Sequence, residues 1–320
     1  PNRLEIELVP EKFHLTTLKV GGLQGNIFRK IYGFLKLLFS SIEVFNLLHK
    51  NQINVVFTTG GYISAPTIIA SKLSGIPVLL HESNAMPGRV TRLLGRFCDH
   101  VALGIPSASS YLPFCKTSYT GTPVRAEFHA EQSLPDWVPK GSGPLILVMG
   151  GSQGAIKLNE MVRNVLPWLI EKGYRVVHLT GSNDLFYKDK IKFKSQDNPA
   201  IIPFSTEIPA LLQHSDLVIS RAGASAICEI IISRTPSILI PFPQAADQHQ
   251  ELNAAYLASF GGAIIVNQHS SKEVILLNIL SHLLGSIHLK KMKSNMKKFL
   301  CVNSENELVK ILNSLNESFL

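Results

Sequence analysis

The chain has 320 residues, 45% hydrophobic and 17% charged, proportions that exclude a disordered polypeptide and leave room for two ordinary domains. Thirty-one Lys and Arg against 23 Asp and Glu give a net charge of +8. That balance points to an anionic partner, phosphorylated substrate or acidic lipid ahead of nucleic acid, because no helix-turn-helix, zinc-finger or RNA-binding signature occurs.

Residues 1–25 open with the run Glu5 to Val9, and His14 to Val20 alternates as a strand should, ended by Gly21-Gly22. Residues 26–49 read as a helix with Ile31, Leu35, Leu38, Ile42 and Phe45 in one stripe at helical spacing, enough to face a core. Ile27, Phe28, Tyr32, Phe34 and Phe39 fall partly outside that stripe, with Arg29, Lys30 and Lys36 among them. Two readings stay open: a helix buried on two sides, or one that also touches a membrane interface.

Short apolar strands then alternate with helices: Ile53–Phe57, a helix through Lys72, Val78–His81, a helix near Arg89–Arg96, His100–Leu103 and Lys116–Tyr119. Such βαβ alternation means a parallel sheet with right-handed crossovers. The longest uncharged run, residues 53–71, is broken by Gly60, Gly61 and Pro66 and does not read as a membrane span. No signal peptide is visible, and four scattered cysteines without CxxC spacing suit a reduced cytosolic compartment. Residues 126–144 are polar and rich in Pro and Gly, as an interdomain connection would be.

The pattern restarts with Leu145–Met149, a glycine-rich turn Gly150–Gly154 and a helix over 155–171. Strands follow at 175–179, 201–204, 217–220, 237–240 and 263–266, and residues 307–320 form a closing helix. The expected fold is therefore α/β, two Rossmann-like domains in tandem. The divisions are 1–125, 126–144 as connection, 145–304, and a closing helix over 305–320.

The most informative stretch runs from Leu217 to Asn253. A buried strand, the turn Arg221–Ala224 and an apolar helix aim free amide groups and a positive helix end at an anion. Glu229, in the second turn of that helix, is placed to accept hydrogen bonds from a ribose diol, although it could equally pair with Arg234. Gln250 belongs to a polar cluster beyond the next strand, on the same sheet edge. Gly150–Gly154 sits where a phosphate loop belongs, with Ser152 as a donor. It lacks GxGxxG spacing, and no acid follows the next strand, which argues against a nicotinamide cofactor. His81, Glu82 and Asn84 directly follow a strand and can hold sugar hydroxyls or take a proton. Arg125, ahead of the connection, can reach a diphosphate across a cleft or merely make a surface pair. HExxH is absent and no zinc is read.

Six motifs in order, GGYISAP (60–66), HESNAMPG (81–88), GTPVR (121–125), GGSQGA (150–155), RAGASAICE (221–229) and PFPQAADQHQELNA (241–254), resemble the MurG family of peptidoglycan glycosyltransferases over almost the whole chain. The resemblance implies the GT-B architecture, two Rossmann-like domains facing across a cleft. It also implies inverting transfer of N-acetylglucosamine from UDP-N-acetylglucosamine to undecaprenyl-diphosphate-N-acetylmuramoyl-pentapeptide, lipid I giving lipid II. That reaction serves cell-wall biogenesis, and with it cell shape and division. By the same resemblance, Asn84 and Gln250 contact the sugar and Arg125 the diphosphate. Ser152 is the serine of the glycine turn, and Ser205 occupies the position whose backbone meets uracil. Ala224, Ser225, Ala226 and Glu229 belong to the turn and helix that hold diphosphate and ribose. No cofactor or metal is implied. The enzyme is expected to sit peripherally on the cytoplasmic face of the plasma membrane, with the helix over 26–49 as its contact with an anionic surface.

The family's opening strand and GGTGGH-type loop, with its His, have no counterpart after Pro1. The chain therefore reads as a fragment or truncation whose first domain is incomplete, lacks a central strand, exposes unpaired edges and turns over poorly. The general base is left unknown, with His81 and Glu82 as candidates within the chain. Rival readings are another UDP-sugar enzyme of this architecture, a glycolipid synthase or 2-epimerase, or a catalytically silent UDP-binding subunit.

Overall fold

The computed structural model describes residues 9–10, 12–18, 27–184, 199–268, 273–299 and 302–318. The opening run at 5–8 and the turn Gly21-Gly22 lie outside them, as do the side chains of residues 27–31. Residues 14–18, expected to begin a strand, have no regular structure. Their apolar residues alternate, but no neighbouring strand among the described residues pairs with them, and alternation alone supplies no ladder partner.

Helix α1 (Ile27–Lys50) leads into a parallel sheet of β1 (Val56–Thr58), β2 (Val78–Glu82), β3 (His100–Leu103) and β4 (Thr117–Tyr119), in that spatial order. Helices α2 (Ser64–Leu73) and α3 (Arg89–Leu94) make the first two crossovers. Among the described residues β1 is one of the sheet's two edge strands, with β4 the other, and Phe57 of β1 is 44% exposed.

Helix α1 corrects the sequence reading. It packs on α2 through Gly33, Ser40, Ser41, Val44 and Leu48, all buried. Of the expected core stripe, Phe45 packs against the core, but Leu35, Leu38 and Ile42 point outward and are exposed, together with Tyr32, Phe34 and Phe39, the last at 71%. Small side chains let two helices approach closely, so the N-terminal part of the face that docks is one a hydropathy pattern scores as weakly apolar. The Ser41 hydroxyl is satisfied locally, donating to the Leu37 carbonyl at 2.8 Å.

The second sheet is also parallel and has the order β10-β9-β8-β5-β6-β7, built from β5 (Leu145–Met149), β6 (Arg175–Leu179), β7 (Ala200–Ile202), β8 (Leu217–Ser220), β9 (Ser237–Leu239) and β10 (Ala263–Ile265). Its crossovers include α4 (Ile156–Glu171), α5 (Ile208–His214), α6 (Ala224–Ile232) and α7 (His249–Ser259). Then come α8 (Glu273–Leu283), α9 (Ile287–Met296) and α10 (Ser304–Glu317). The chain leaves β5 in one direction to β6 and β7, then returns to β5's other side for β8, so strand order reverses between β5 and β8. A crevice opens outside the carboxyl ends of the strands at such a reversal.

Alternate residues of β5, β6 and β8 feed two apolar layers. Leu145, Leu147, Met149, Val177, Leu179 and Val218 lie on one side, Ile146, Val148, Val176, Leu217 and Ile219 on the other. Nearly all are fully buried, which is why these strands read as continuous apolar runs rather than alternating ones. The first layer takes in Ala85, Ile105 and Phe128 from the first half, so apolar packing joins the two halves. Helix α10 lays Leu308, Ile311, Leu312 and Leu315 over Leu79 and Ala102 of the first sheet. Its N-cap is Asn303, whose side chain accepts the Asn306 amide.

Candidate functional site

A cleft of about 1150 Å³ occupies the crevice at the β5/β8 reversal. Three chain segments build it from backbone. The first is the turn after β5. Gly154 (φ +85) and Gly181 (φ +80) cross so tightly that a Cβ on Gly154 would lie 2.2 Å from the Thr180 carbonyl oxygen, and one on Gly181 would lie 2.1 Å from the Gly154 backbone. Only glycine fits both positions, and the crossing folds residues 150–154 into a glycine-rich lip that also carries Ser152 and Gln153.

Behind that lip a buried polar network holds Thr180. The Asn159 amide donates to the Thr180 carbonyl (2.8 Å) and to Asp184 (2.6 Å). Its oxygen accepts from His178 Nε2 at 3.0 Å, and Arg163 pairs with Asp184 at 3.0 Å. Because the Asn159 NH2 is spent on oxygen acceptors, its carbonyl oxygen must face a donor, which puts the His178 proton on Nε2. Burial pushes the His178 ring down to about 4, an effect that nearby Asp184 only partly offsets.

The second segment is the turn after β8. Gly223 is the N-cap of α6 and makes no side-chain cap bond, so the first amides of the helix are left for a ligand at its positive end. Gly223, Ser225, Ala226 and Glu229 line the cleft. Glu229 sits one turn in from Ser225. Burial raises its carboxyl above the ordinary range, and the charge of Arg125 pulls the other way.

The third segment follows β9: Phe242, Gln244 and Gln250 line the opposite wall. The Gln250 carbonyl oxygen accepts the Phe242 amide at 2.9 Å, so the group it presents to a ligand is its NH2. Ser205 and Phe204 also line the cleft, and the Ser205 hydroxyl accepts the Glu207 amide at 3.0 Å. Arg125 reaches over from the end of the first half, donates to the Thr206 carbonyl at 2.9 Å and stands 5.6 Å from the Phe128 ring centroid.

Of the residues expected from sequence, Arg125, Ser152, Ser205, Ser225, Ala226, Glu229 and Gln250 therefore line one cavity, with Ala224 beside them as the first residue of α6. Asn84 stands apart from that lining. Its NH2 donates to Glu82 Oε1 and its oxygen accepts from Asn253. His81 and Glu82 do not line the cleft either. His81 Nε2 bonds the Gly121 carbonyl at 2.9 Å, and burial lowers its pKa. Glu82 is 5% exposed and accepts from the Asn84 amide and side chain, the Gly88 amide and the Thr91 hydroxyl. A carboxylate holding four donors is organising a turn.

Sequence reasoning passed over Arg221 and Gln268, both in the lining. Arg221 is 8% exposed and donates to the Ile240 and Pro241 carbonyls and to Gln268 Oε1 (2.6 Å), with no carboxylate among these acceptors. Burial lowers its pKa to about 10. The signal was in the chain: a lone Arg at the carboxyl end of an apolar strand that feeds an uncapped helix. A buried cation whose acceptors are all neutral adds positive potential to a cavity already lined by amides.

Comparison with known proteins agrees with this geometry. Residues 145–308 match the model described as the glycosyltransferase family 28 C-terminal domain, and residues 1–103 the corresponding N-terminal domain. A Prochlorococcus marinus (strain NATL1A) protein named UDP-N-acetylglucosamine--N-acetylmuramyl-(pentapeptide) pyrophosphoryl-undecaprenol N-acetylglucosamine transferase is 65% identical over 316 residues, which cover 99% of this chain and 90% of that protein. A Synechococcus sp. (strain WH7803) protein of the same name is 56% identical, with coverage of 89% and 78%. The crystal structure of Acinetobacter baumannii MurG superposes with a TM-score of 0.72 at 25% identity, covering 90% of this chain and 83% of that one. The fold is thus the two-domain GT-B arrangement of parallel α/β sheets, and the chain belongs to glycosyltransferase family 28, in its MurG family.

Proposed function

We propose that this chain transfers N-acetylglucosamine from UDP-N-acetylglucosamine to undecaprenyl-diphosphate-N-acetylmuramoyl-pentapeptide, lipid I giving lipid II, with inversion at the anomeric carbon. The observation that carries the reading is the cleft at the β5/β8 reversal, where an uncapped helix start and a half-buried carboxyl lie one helical turn apart. That spacing suits a nucleoside diphosphate: phosphates at the amides of Ala224, Ser225 and Ala226, ribose hydroxyls at Glu229. Ser152 and the main chain of 150–154 close over the phosphates, uracil lies against the Ser205 backbone beside Phe204, and Gln250 takes a sugar hydroxyl.

As the glycosidic bond breaks, negative charge collects on the leaving UDP. The α6 amides, Arg125 and Arg221 are fixed before the reaction begins, so stabilising that charge costs no reorganisation. Arg125 comes from the first half and reaches Thr206 in the second, which makes closure of the halves and exclusion of water a single event.

Among the described residues no helix is long and apolar enough to cross a membrane. The outward face of α1, with Tyr32, Phe34, Leu35, Leu38, Phe39 and Ile42 exposed and Lys36 over the Tyr32 ring, suits contact with an anionic bilayer. This supports peripheral attachment at the cytoplasmic face of the plasma membrane, where a polyprenyl-linked acceptor is presented.

The test is to supply full-length protein with UDP-N-acetylglucosamine and a lipid I analogue and to follow UDP release and the disaccharide product by mass spectrometry. Acceptor-dependent product formation is expected. Release of a free 2-epimerised sugar without acceptor, or UDP binding with no turnover, would replace the reading with an epimerase or a silent binding subunit.

A further inference from the structure

The segment that forms the donor wall of the cleft, residues 241–253, also grips the first half of the molecule, and it does so at two points. At the inner point lies Asn253, fully buried on α7. Its carbonyl oxygen accepts the Ala85 amide at 2.8 Å. Its NH2 donates to the Asn84 side-chain oxygen and to the Ala222 carbonyl, both at 3.1 Å. Ala222 lies in the turn that feeds α6, whereas Asn84 and Ala85 lie in the loop that follows β2. One amide, with both N–H donors engaged, thus spans the two halves. At the outer point Asp247 pairs with Arg92 and, at 3.5 Å, with Arg89, both on α3. Asp247 and the next residue Gln248 hold φ of 51° and 55°, a left-handed pair that turns the chain back into α7. Between the two points, Gln250 faces the donor cleft.

We infer that Asn253 is a positioning residue for transfer: its amide fixes the loop 84–88 of the acceptor half against the donor turn at Ala222, with Asp247 and Arg92 as the outer part of the same clasp. This rests on the donor cleft proposed above. Asn253 lies three residues beyond Gln250 on one helix, so movement of the Gln250 wall on sugar binding moves the clasp with it. The amide is chemically specific. Aspartate would keep the bond from Ala85 but turn a charged oxygen toward Asn84 and Ala222, where both existing partners are acceptors.

The experiment compares wild type, Asn253→Asp and Arg92→Ala as full-length proteins, with UDP affinity from calorimetry and kcat and KM from the transfer assay. Asn253→Asp is expected to lower kcat about 10–100-fold, the scale of an ångström misplacement of reactants. Its UDP Kd should stay within about threefold of wild type, since the residue touches no donor group. A parallel loss of kcat and UDP affinity would make Asn253 a structural support of the donor half only, and an unchanged kcat would remove it from the reaction; either overturns the inference. Should the buried variant not fold, Arg92→Ala at the exposed end decides instead. There kcat must fall by about threefold or more at unchanged UDP affinity, the mark of a defect in transfer rather than in donor binding, and no fall overturns it. Wild-type protein that fails to bind UDP would refute the donor reading itself, a result distinct from these.

Discussion

Replacing Asn159 with Leu tests whether the buried network behind the glycine lip is what holds the lip in place. Leu has nearly the same volume, so little cavity forms and the cost is polar. The Thr180 carbonyl, now bonded at 2.8 Å, and the His178 Nε2–H, bonded at 3.0 Å, both lose their Asn159 partner in a fully buried site. Asp184 keeps Arg163. Each buried hydrogen bond lost costs about 1–3 kcal/mol, so the expected loss is roughly 2–6 kcal/mol, a large part of a typical folding free energy of about 5–15 kcal/mol. The assay is urea unfolding followed by tryptophan fluorescence, for which Trp168 on α4 reports from the same half of the chain. Because Thr180 meets Gly154 across the glycine crossing, UDP affinity should drop by about tenfold as well, the scale of one lost oriented contact. A variant within about 0.5 kcal/mol of wild type, the range of an ordinary surface change, would refute the idea that Asn159 supports the lip.

Three further outcomes are expected. His178, normally near 6.5 and held at about 4, contributes stability that is complete above 6.5 and is lost as pH falls toward 4, roughly 3 kcal/mol in all. The stability advantage of wild type over His178→Gln, measured by urea midpoint, should therefore shrink across that window. Glu229→Gln and Glu229→Ala should weaken UDP binding by about 10–100-fold through loss of charge-assisted bonds to ribose. Because burial raises this carboxyl, wild-type affinity should climb as pH rises through its elevated range, and calorimetry of either variant should show that climb abolished. Phe39→Glu with Ile42→Glu places charges on the exposed face of α1, and should move the protein from the pellet to the supernatant in sedimentation with anionic vesicles while leaving the melting temperature unchanged.

The second sheet was legible because both its faces are covered: Leu145–Met149 and Leu217–Ile219 are uninterrupted apolar runs, and the turns behind them carry glycine. Helix α1 was legible as a helix but not in orientation. Its docking face mixes Gly33, Ser40 and Ser41 with Val44 and Leu48, whereas most of its larger apolar side chains ring the remainder, so hydropathy could not choose a side. Glu229, Ser152 and Gln250 could be placed because each lies in the turn after a strand or in the first two turns of the helix that follows it, where topology alone fixes the edge. Asn84 obeyed the same rule yet points to Asn253, 169 residues away, a partner that only the packing of the two halves reveals. Arg221 was hidden by its own burial: an Arg beside a glycine turn reads as surface charge until its acceptors prove to be the Ile240 and Pro241 carbonyls.

The crossing of Gly154 and Gly181 fixes the main chain at the end of the cleft proposed to hold the phosphates, where neither glycine can take a side chain. Natural or laboratory retooling toward a different donor sugar must then work on Phe242, Gln244 and Gln250, which can vary without disturbing the crossing. The nucleotide grip and the sugar preference of such a protein can evolve at separate rates.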